Sequence, residues 1–465
     1  MPCYHFCNVP TDRKRAAHSC AIRAAHSRAI RVLVCCAYAA AGFGVVWAAE
    51  STAQLLFDKV RAGVVENVKR FPRYTCVQTI VRSQFELPDA GSSCATAIAA
   101  HERDTSTAIL RWHDRLRLDV AVGEKSEMFS WAGASQFESG DITQMVAKGA
   151  SGSGEFGSFL ASVFGGDAEG FLYRGLQDTP LGRVAAYDFR VPVAKSHYQY
   201  ISSGKSYATV GYHGTFLADP DTADLRELDL YATEFPVADD VCRVEDKIQY
   251  ARTQIGQNTF MLPKKSSMDV IYRHATESLN EASFSGCREY VGESSIRFDV
   301  DENGNTPDAE KRAELRPLAP KTHLRVRIDP PIDSDRAAAG DPIIGVIETA
   351  VKVKNEVVVH PGDKLKGRVV RLEQTLGASP RWTVAILFET IERNGFEQKV
   401  LLKPVDDGDR SPSGPMPAGR RGFTPPTPSA SSITSERPAG GGIFSFAEPG
   451  NLVLDRKFES EWETR

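Results

Sequence analysis

The sequence predicts an α+β protein: an antiparallel, curved β-sheet (half-barrel) wrapped on an N-terminal helix, followed by a small all-β, barrel-like domain. Three patterns predict it. Leu56, Val60, Val64 and Val68 recur every four positions until Pro72 forbids continuation, which marks one amphipathic helix of about 20 residues. From Tyr74 onward, short alternating segments follow one another with turn chemistry such as Asp219-Pro220-Asp221 between them. A charged, Pro-containing stretch from Asp299 to Ala319 then interrupts the pattern, and a second run of alternating segments begins at Leu324.

With 465 residues, 42% apolar and 25% charged, the chain can bury a sizeable core, so wholesale disorder and a polytopic membrane protein are excluded. The formal charge is -4, but the first 31 residues carry six Lys/Arg against one Asp, which leaves 50 basic and 59 acidic residues, or -9, for the rest. That balance argues against a nucleic-acid-binding surface. After the basic segment come the 18 uncharged residues Val32 to Ala49, ending in Val46-Trp47-Ala48-Ala49-Glu50 with small residues where a signal peptidase cuts. Residues 1–48 therefore read as a signal peptide and the mature protein as periplasmic or secreted. An uncleaved leader would be its sole membrane contact.

Five of the nine cysteines lie in the leader, and Cys76, Cys94, Cys242 and Cys287 remain. An even number in an exported chain reads as two disulfides, with three connectivities open. Cys76 with Cys94 and Cys242 with Cys287 is favoured because each closes a short loop. A four-thiolate zinc site lacks any Cys-x-x-Cys spacing.

Ser51 and Gln54 form a capping box at the start of the helix. Strands are expected at Tyr74 to Arg82, at Arg115 to Val122, where Leu116, Leu118, Val120 and Val122 alternate with Arg115, Arg117 and Asp119, and at Glu127 to Trp131. Others are expected at Gly170 to Leu176, Arg183 to Val191, His197 to Ile201, Ala208 to Ala218, Leu225 to Ala232, Cys242 to Thr253, Asn258 to Leu262 and Met268 to His274. The Gly/Ser segment Gly149 to Gly157 leads into Phe159, Leu160, Val163 and Phe164, a second short helix.

This order of elements, with Gly214-Thr215-Phe216-Leu217-Ala218-Asp219-Pro220-Asp221-Thr222 in the middle and Phe260-Met261-Leu262-Pro263 near its end, resembles the periplasmic outer-membrane lipoprotein carriers over roughly residues 50 to 300. The Tyr74-Thr75-Cys76-Val77-Gln78-Thr79-Ile80 strand is similar to one in uncharacterised exported proteins of soil bacteria. The resemblance implies a half-closed sheet around a helix and a habit of binding acyl chains or hydrophobic partners. The cysteines and the C-terminal extension depart from the true carriers.

The expected organisation is a carrier-like half-barrel over 49–300, a charged linker over 301–320, a β-rich domain over 321–405, a Pro/Gly/Ser-rich disordered loop over 406–442 and returning strands over 443–465. Asn394-Gly395 suits a two-residue hairpin turn. Seven prolines between Pro412 and Pro438 oppose folding of the loop, whereas Phe444, Phe446, Leu452, Leu454, Phe458 and Trp462 need a core.

No catalytic constellation, cofactor motif or metal-ligand set emerges. Asp299 to Glu310 matches a calcium loop in its acidic positions and Gly304, but the preceding Ser295-Ile296-Arg297-Phe298 reads as a strand, so a solvated turn is preferred. Ser202-Ser203-Gly204-Lys205-Ser206 lacks the first glycine of a phosphate loop and reads as a hairpin turn; its Ser202 and Lys205 have no partnering motif. Histidines 101, 113, 197, 213, 274, 323 and 360 show no ligand spacing.

The aromatic residues Phe129, Trp131, Tyr198, Tyr200, Phe216, Tyr231 and Phe260 recur along strands of a sheet that a single helix need not fill, and they are the candidate lining of a cleft. The alternative is that these rings cover the helix. The expected function is non-covalent binding of a lipid, acyl chain or hydrophobic partner in that cleft by an exported, non-enzymatic envelope protein. A structural or assembly protein of the envelope, and an enzyme with residues dispersed over strands, are the alternatives.

Overall fold

The computed structural model describes residues 52–289, apart from 72, 89–90, 104–106, 123–126, 135–136, 138–141, 147–148 and 202–206, and residues 318–465, apart from 354, 394–395, 406–431 and 436–440. The leader, Ser51, the calcium-loop match, the Ser202 to Ser206 turn and Asn394-Gly395 lie outside the described residues. The chain divides into two units, Met1–Lys59 and Val60–Arg465. The first contributes the opening turns of helix α1, which spans 52–69.

Along α1 the buried residues are Ala53, Phe57, Val60 and Val64, while Leu56 and Val68 are half-buried. The expected every-fourth stripe is corrected for a geometric reason: steps of four alone drift around a helix of 3.6 residues per turn, and alternating steps of four and three hold one face. Asn67 at its end donates to the Met261 carbonyl and accepts the Met261 N–H, both at 2.9 Å, so this end is bonded to the sheet.

The strands are β1 (Tyr74–Glu86), β2 (Ile109–Val122), β3 (Glu127–Trp131), β4 (Glu169–Thr179), β5 (Gly182–Val191), β6 (Gln199–Ile201), β7 (Tyr207–Thr209), β8 (Tyr212–Ala218), β9 (Leu225–Ala232), β10 (Val241–Ile255), β11 (Asn258–Tyr272) and β12 (Thr276–Glu289). Antiparallel ladders order ten of them β3-β2-β1-β12-β11-β10-β9-β8-β5-β4. β6 and β7 form a separate hairpin. The two segments expected on either side of Pro263 are one strand, β11, whose ladder with β10 is irregular between Gln249 and Tyr250, opposite Pro263. β12 and helix α2 (Cys94–Arg103) have no counterpart in the sequence expectation. Helix α3 (Ile142–Met145) precedes the Gly/Ser segment, and helix α4 (Ser158–Gly165) follows it as expected.

The favoured disulfide pairing is corrected. Cys76 bonds Cys287 and Cys94 bonds Cys242. β12 returns beside β1 and carries Cys287 to the start of that strand, while α2 places Cys94 over the start of β10. Loop-closure entropy grows only logarithmically with length, so short loops were a weak criterion against strand pairing. Two disulfides suit an oxidising compartment. Among the described residues no helix is long and apolar enough to cross a membrane.

Beyond residue 318, His323–Ile328 pairs with Pro342–Ile347 and with Glu459–Thr464, and Lys364–Thr375 pairs with Pro342–Ile347 and Arg381–Arg393. Gly442–Phe446 adds to Arg381–Arg393, and Leu402–Pro404 to Glu459–Thr464. Ser432–Ser435, inside the stretch expected as a disordered loop, pairs with Gly442–Phe446. Phe388, Phe444, Phe446 and Trp462 are buried in this region's own core. The expected barrel is corrected to an open sheet: among the described residues no ladder joins its two edge strands, Leu402–Pro404 and Ser432–Ser435. Glu373, Gln374 and Thr375 also pair with Asp114, His113 and Trp112 of β2, so the two strand regions share one sheet. Beside this seam Gly340 has φ of +106°, and a Cβ there would lie 2.0 Å from the Arg117 carbonyl oxygen, so only glycine fits.

Candidate functional site

Strand register builds one wall of a cavity of about 550 Å³. Alternate residues of a strand share a face, and cross-strand partners sit side by side. One row across β1, β12, β11 and β10 is Ile80, Ala282, Ser266 and Ile248; the next is Arg82, Asn280, Met268 and Asp246. All eight line the cavity.

The opposite wall is the Gly/Ser segment before α4, together with Tyr198 and Tyr200. Asn280 Nδ2 and Arg82 Nη1 donate to the Ala150 carbonyl at 3.0 and 3.4 Å, and the Tyr250 hydroxyl donates to the Glu155 carbonyl at 3.0 Å. The strap touches the sheet at Gly152, where an added Cβ would lie 2.9 Å from Met268 Sδ, the mobile end of a side chain that can shift.

Three carboxylates enter this space. Glu127 accepts the backbone N–H groups of Gly154 and Phe156 at 2.9 and 3.1 Å. Glu155 accepts from Ser266 Oγ at 3.3 Å, and Asp246 accepts from the Tyr198 hydroxyl at 2.7 Å. Burial pushes Glu155 up to about 8, with the Glu127 charge adding to it. Burial also lifts Asp246 to about 6, against the Tyr198 hydrogen bond, and raises Glu127. Arg82 lines the same cavity but its guanidinium is forked on Asp114, Nε at 2.9 Å and Nη2 at 2.5 Å.

These acids have a consequence for stability. A carboxyl whose folded pKa lies above its unfolded value holds its proton better in the folded state, so its contribution is complete below about pH 4 and is lost as pH rises through the folded pKa. Unfolding stability is therefore expected to fall between pH 5 and pH 9 as Asp246 and then Glu155 ionise, by an amount on the order of a few kcal/mol, and the thermal midpoint to fall with it. The E155Q/D246N variant should flatten that fall in a fluorescence melt at pH 5, 7 and 9, and curves parallel to wild type would refute the assignment. Asp229 and Asp269, each raised to about 7 chiefly by burial, should leave a residual slope.

Of the seven aromatic candidates, the structure brings Tyr198 and Tyr200 to this cavity. Tyr198 stacks on Phe159 at 5.8 Å, and the Tyr200 hydroxyl donates to Asp239. Phe216 is fully buried between Phe164 and Tyr187, at 5.1 and 4.9 Å. Phe129 lies in the core, and Phe260 packs edge-on to Phe71 at 6.1 Å. Trp131 packs partly buried against that same core, and Tyr231 stacks on His213 at 5.7 Å. These five are not among the residues lining the cavity. Sequence reasoning missed the three carboxylates, which come from separate segments with no motif spacing.

A second constellation lies on the other face of the sheet. His101 of α2 meets Glu277 at 2.9 Å through Nδ1 and Asp269 at 3.7 Å through Nε2. One ligand atom from each lies within 4.8 Å of the others, so the three could hold a metal ion. They also pin α2 to β11 and β12, beside the buried contacts of Ala97 and Ala100 with Ile271.

No family model and no curated protein matches the chain. Among solved structures, a DUF1329 family protein from Desulfovibrio piger is similar over 51% of this chain and 94% of its own, with 8% identity and a TM-score of 0.25. So distant a likeness carries no argument for fold or function. The protein is β-rich and disulfide-bonded, and its large antiparallel sheet carries a cavity with apolar and acidic walls.

Proposed function

We propose that this is an exported protein of the cell envelope, periplasmic or secreted, that binds a small hydrophobic or amphiphilic molecule non-covalently between the sheet and the Gly/Ser strap. The observation that carries the reading is the cavity itself: about 550 Å³ lies within the size range of small-molecule sites, and Ile80, Val244, Ile248, Met268 and Val270 supply an apolar wall. Burial of each methylene of a ligand contributes about 0.8 kcal/mol before ordering costs, so affinity needs no catalytic motif.

Native mass spectrometry of the purified protein is the test. An adduct released by organic solvent is expected, and A282F, which places a ring in the cavity, should abolish it while keeping the circular dichroism of wild type. Absence of any adduct, together with no binding of an apolar dye, would defeat the proposal and favour an assembly role. The raised carboxyls support acid–base chemistry on a bound molecule as a second reading. A change in mass of the extracted ligand after incubation with fresh protein would favour it.

A further inference from the structure

We infer that the cavity selects an organic ammonium ion carrying a short apolar body, drawn in by the combined negative charge of Glu127, Glu155 and Asp246 and donating an N–H to the side-chain Oε1 of Gln78; this rests on the cleft-binding reading above. Among the described residues, the charges lining the cavity are unbalanced. Its acids are Glu127, Glu155 and Asp246; its basic residues are Arg82, already forked on Asp114, and His197, whose side chain is 82% exposed and faces Asp167 at 3.8 Å. Among the described residues no cationic side chain pairs with any of the three acids, which are held by backbone N–H groups and hydroxyls. A buried carboxylate without a counter-ion is costly, and a ligand cation offsets that cost.

Gln78 is an independent sign. Its side chain lines the same cavity, the residue is 2% exposed, and Oε1 has no hydrogen-bond partner among the described residues. Buried acceptors are nearly always satisfied, so this one calls for a donor. An N–H group supplies one. The stacked rings of Phe159 and Tyr198, with Tyr212 at 5.8 Å from Tyr198, add aromatic faces of the kind that attract ammonium groups.

A bare metal ion fits less well. Among the described residues the one group of three ligands within 4.8 Å is His101, Asp269 and Glu277, so the cavity acids are spread too widely to close on a single small ion. The volume likewise has room for an organic body against Ile80, Ile248 and Met268.

Isothermal titration at pH 8.5 with octylammonium, octanoate and 1-octanol, three probes of one chain length, tests the inference. Octylammonium should bind at least 10-fold tighter than either of the others, and E155Q/D246N should lose that preference while still binding 1-octanol. The single variant E155Q, isosteric with wild type, gives the same readout if the double variant fails to fold. Equal or tighter binding of octanoate or octanol overturns the ammonium inference but leaves the cleft reading standing. No binding of any octyl compound overturns both. Displacement of octylammonium by submillimolar calcium or magnesium chloride also overturns it, in favour of a metal site.

Discussion

Replacing Cys76 and Cys287 together by alanine is expected to lower unfolding stability by about 5 kcal/mol on the chain-entropy account, read as a shift of the urea midpoint. The bond spans 211 residues of sequence, and Cys94–Cys242 spans 148, so each constrains a large part of the unfolded ensemble. A typical domain holds only about 5–15 kcal/mol in total, so one bond decides whether it is folded at 37 °C. Cys76 is completely buried, and alanine avoids adding an unsatisfied hydroxyl there. The control is C76A/C94A. It removes one cysteine from each bond and leaves Cys242 and Cys287 free to react with a thiol reagent, whereas C76A/C287A leaves Cys94 and Cys242 still joined. Peptide mapping without reductant that linked Cys76 to Cys94 would contradict the strand pairing of β1 with β12.

That pairing also explains which parts of the fold were legible. β2 was readable because Leu116, Leu118 and Val120 are buried and alternate with polar residues. β12 was not. Its buried residues include Glu277, Ser278 and Asn280, chosen by an ion pair with His101 and by the cavity, so the apolar alternation that marks a strand is missing where it matters. α2 is short and buries two alanines, too small a stripe to stand out. The site was hidden for a related reason: Glu127, Glu155 and Asp246 look like ordinary strand and loop acids until the strap lies over the sheet. Aromatic content pointed to the cavity through Tyr198 and Tyr200, while Phe216, in the same list, fills core. Ring size cannot separate those roles; register can.

The second large effect is expected at Arg82. Its guanidinium lies 5.2 Å over the Trp112 ring, forks onto Asp114, and reaches the strap at Ala150, with 3% of its side chain exposed. Asp114 sits at the seam opposite Glu373, and burial holds its carboxyl above the usual range despite the Arg82 hydrogen bond that lowers it. R82M removes the cation and leaves Asp114 buried, which should cost about 3–5 kcal/mol. R82M/D114L removes both charges and should recover much of that loss, since replacing a buried pair by apolar groups is often close to neutral. The double variant still lacks the Arg82 bond to the strap, so its stability and its binding should part company: near-native unfolding with weakened retention of the bound molecule. If R82M melts within about 1 kcal/mol of wild type, the pair behaves as a solvated surface bridge. If R82M/D114L recovers stability and binds like wild type, the strap is held without Arg82, by Asn280, Tyr250, Glu127 and Ser266, and the cavity wall does not depend on the seam.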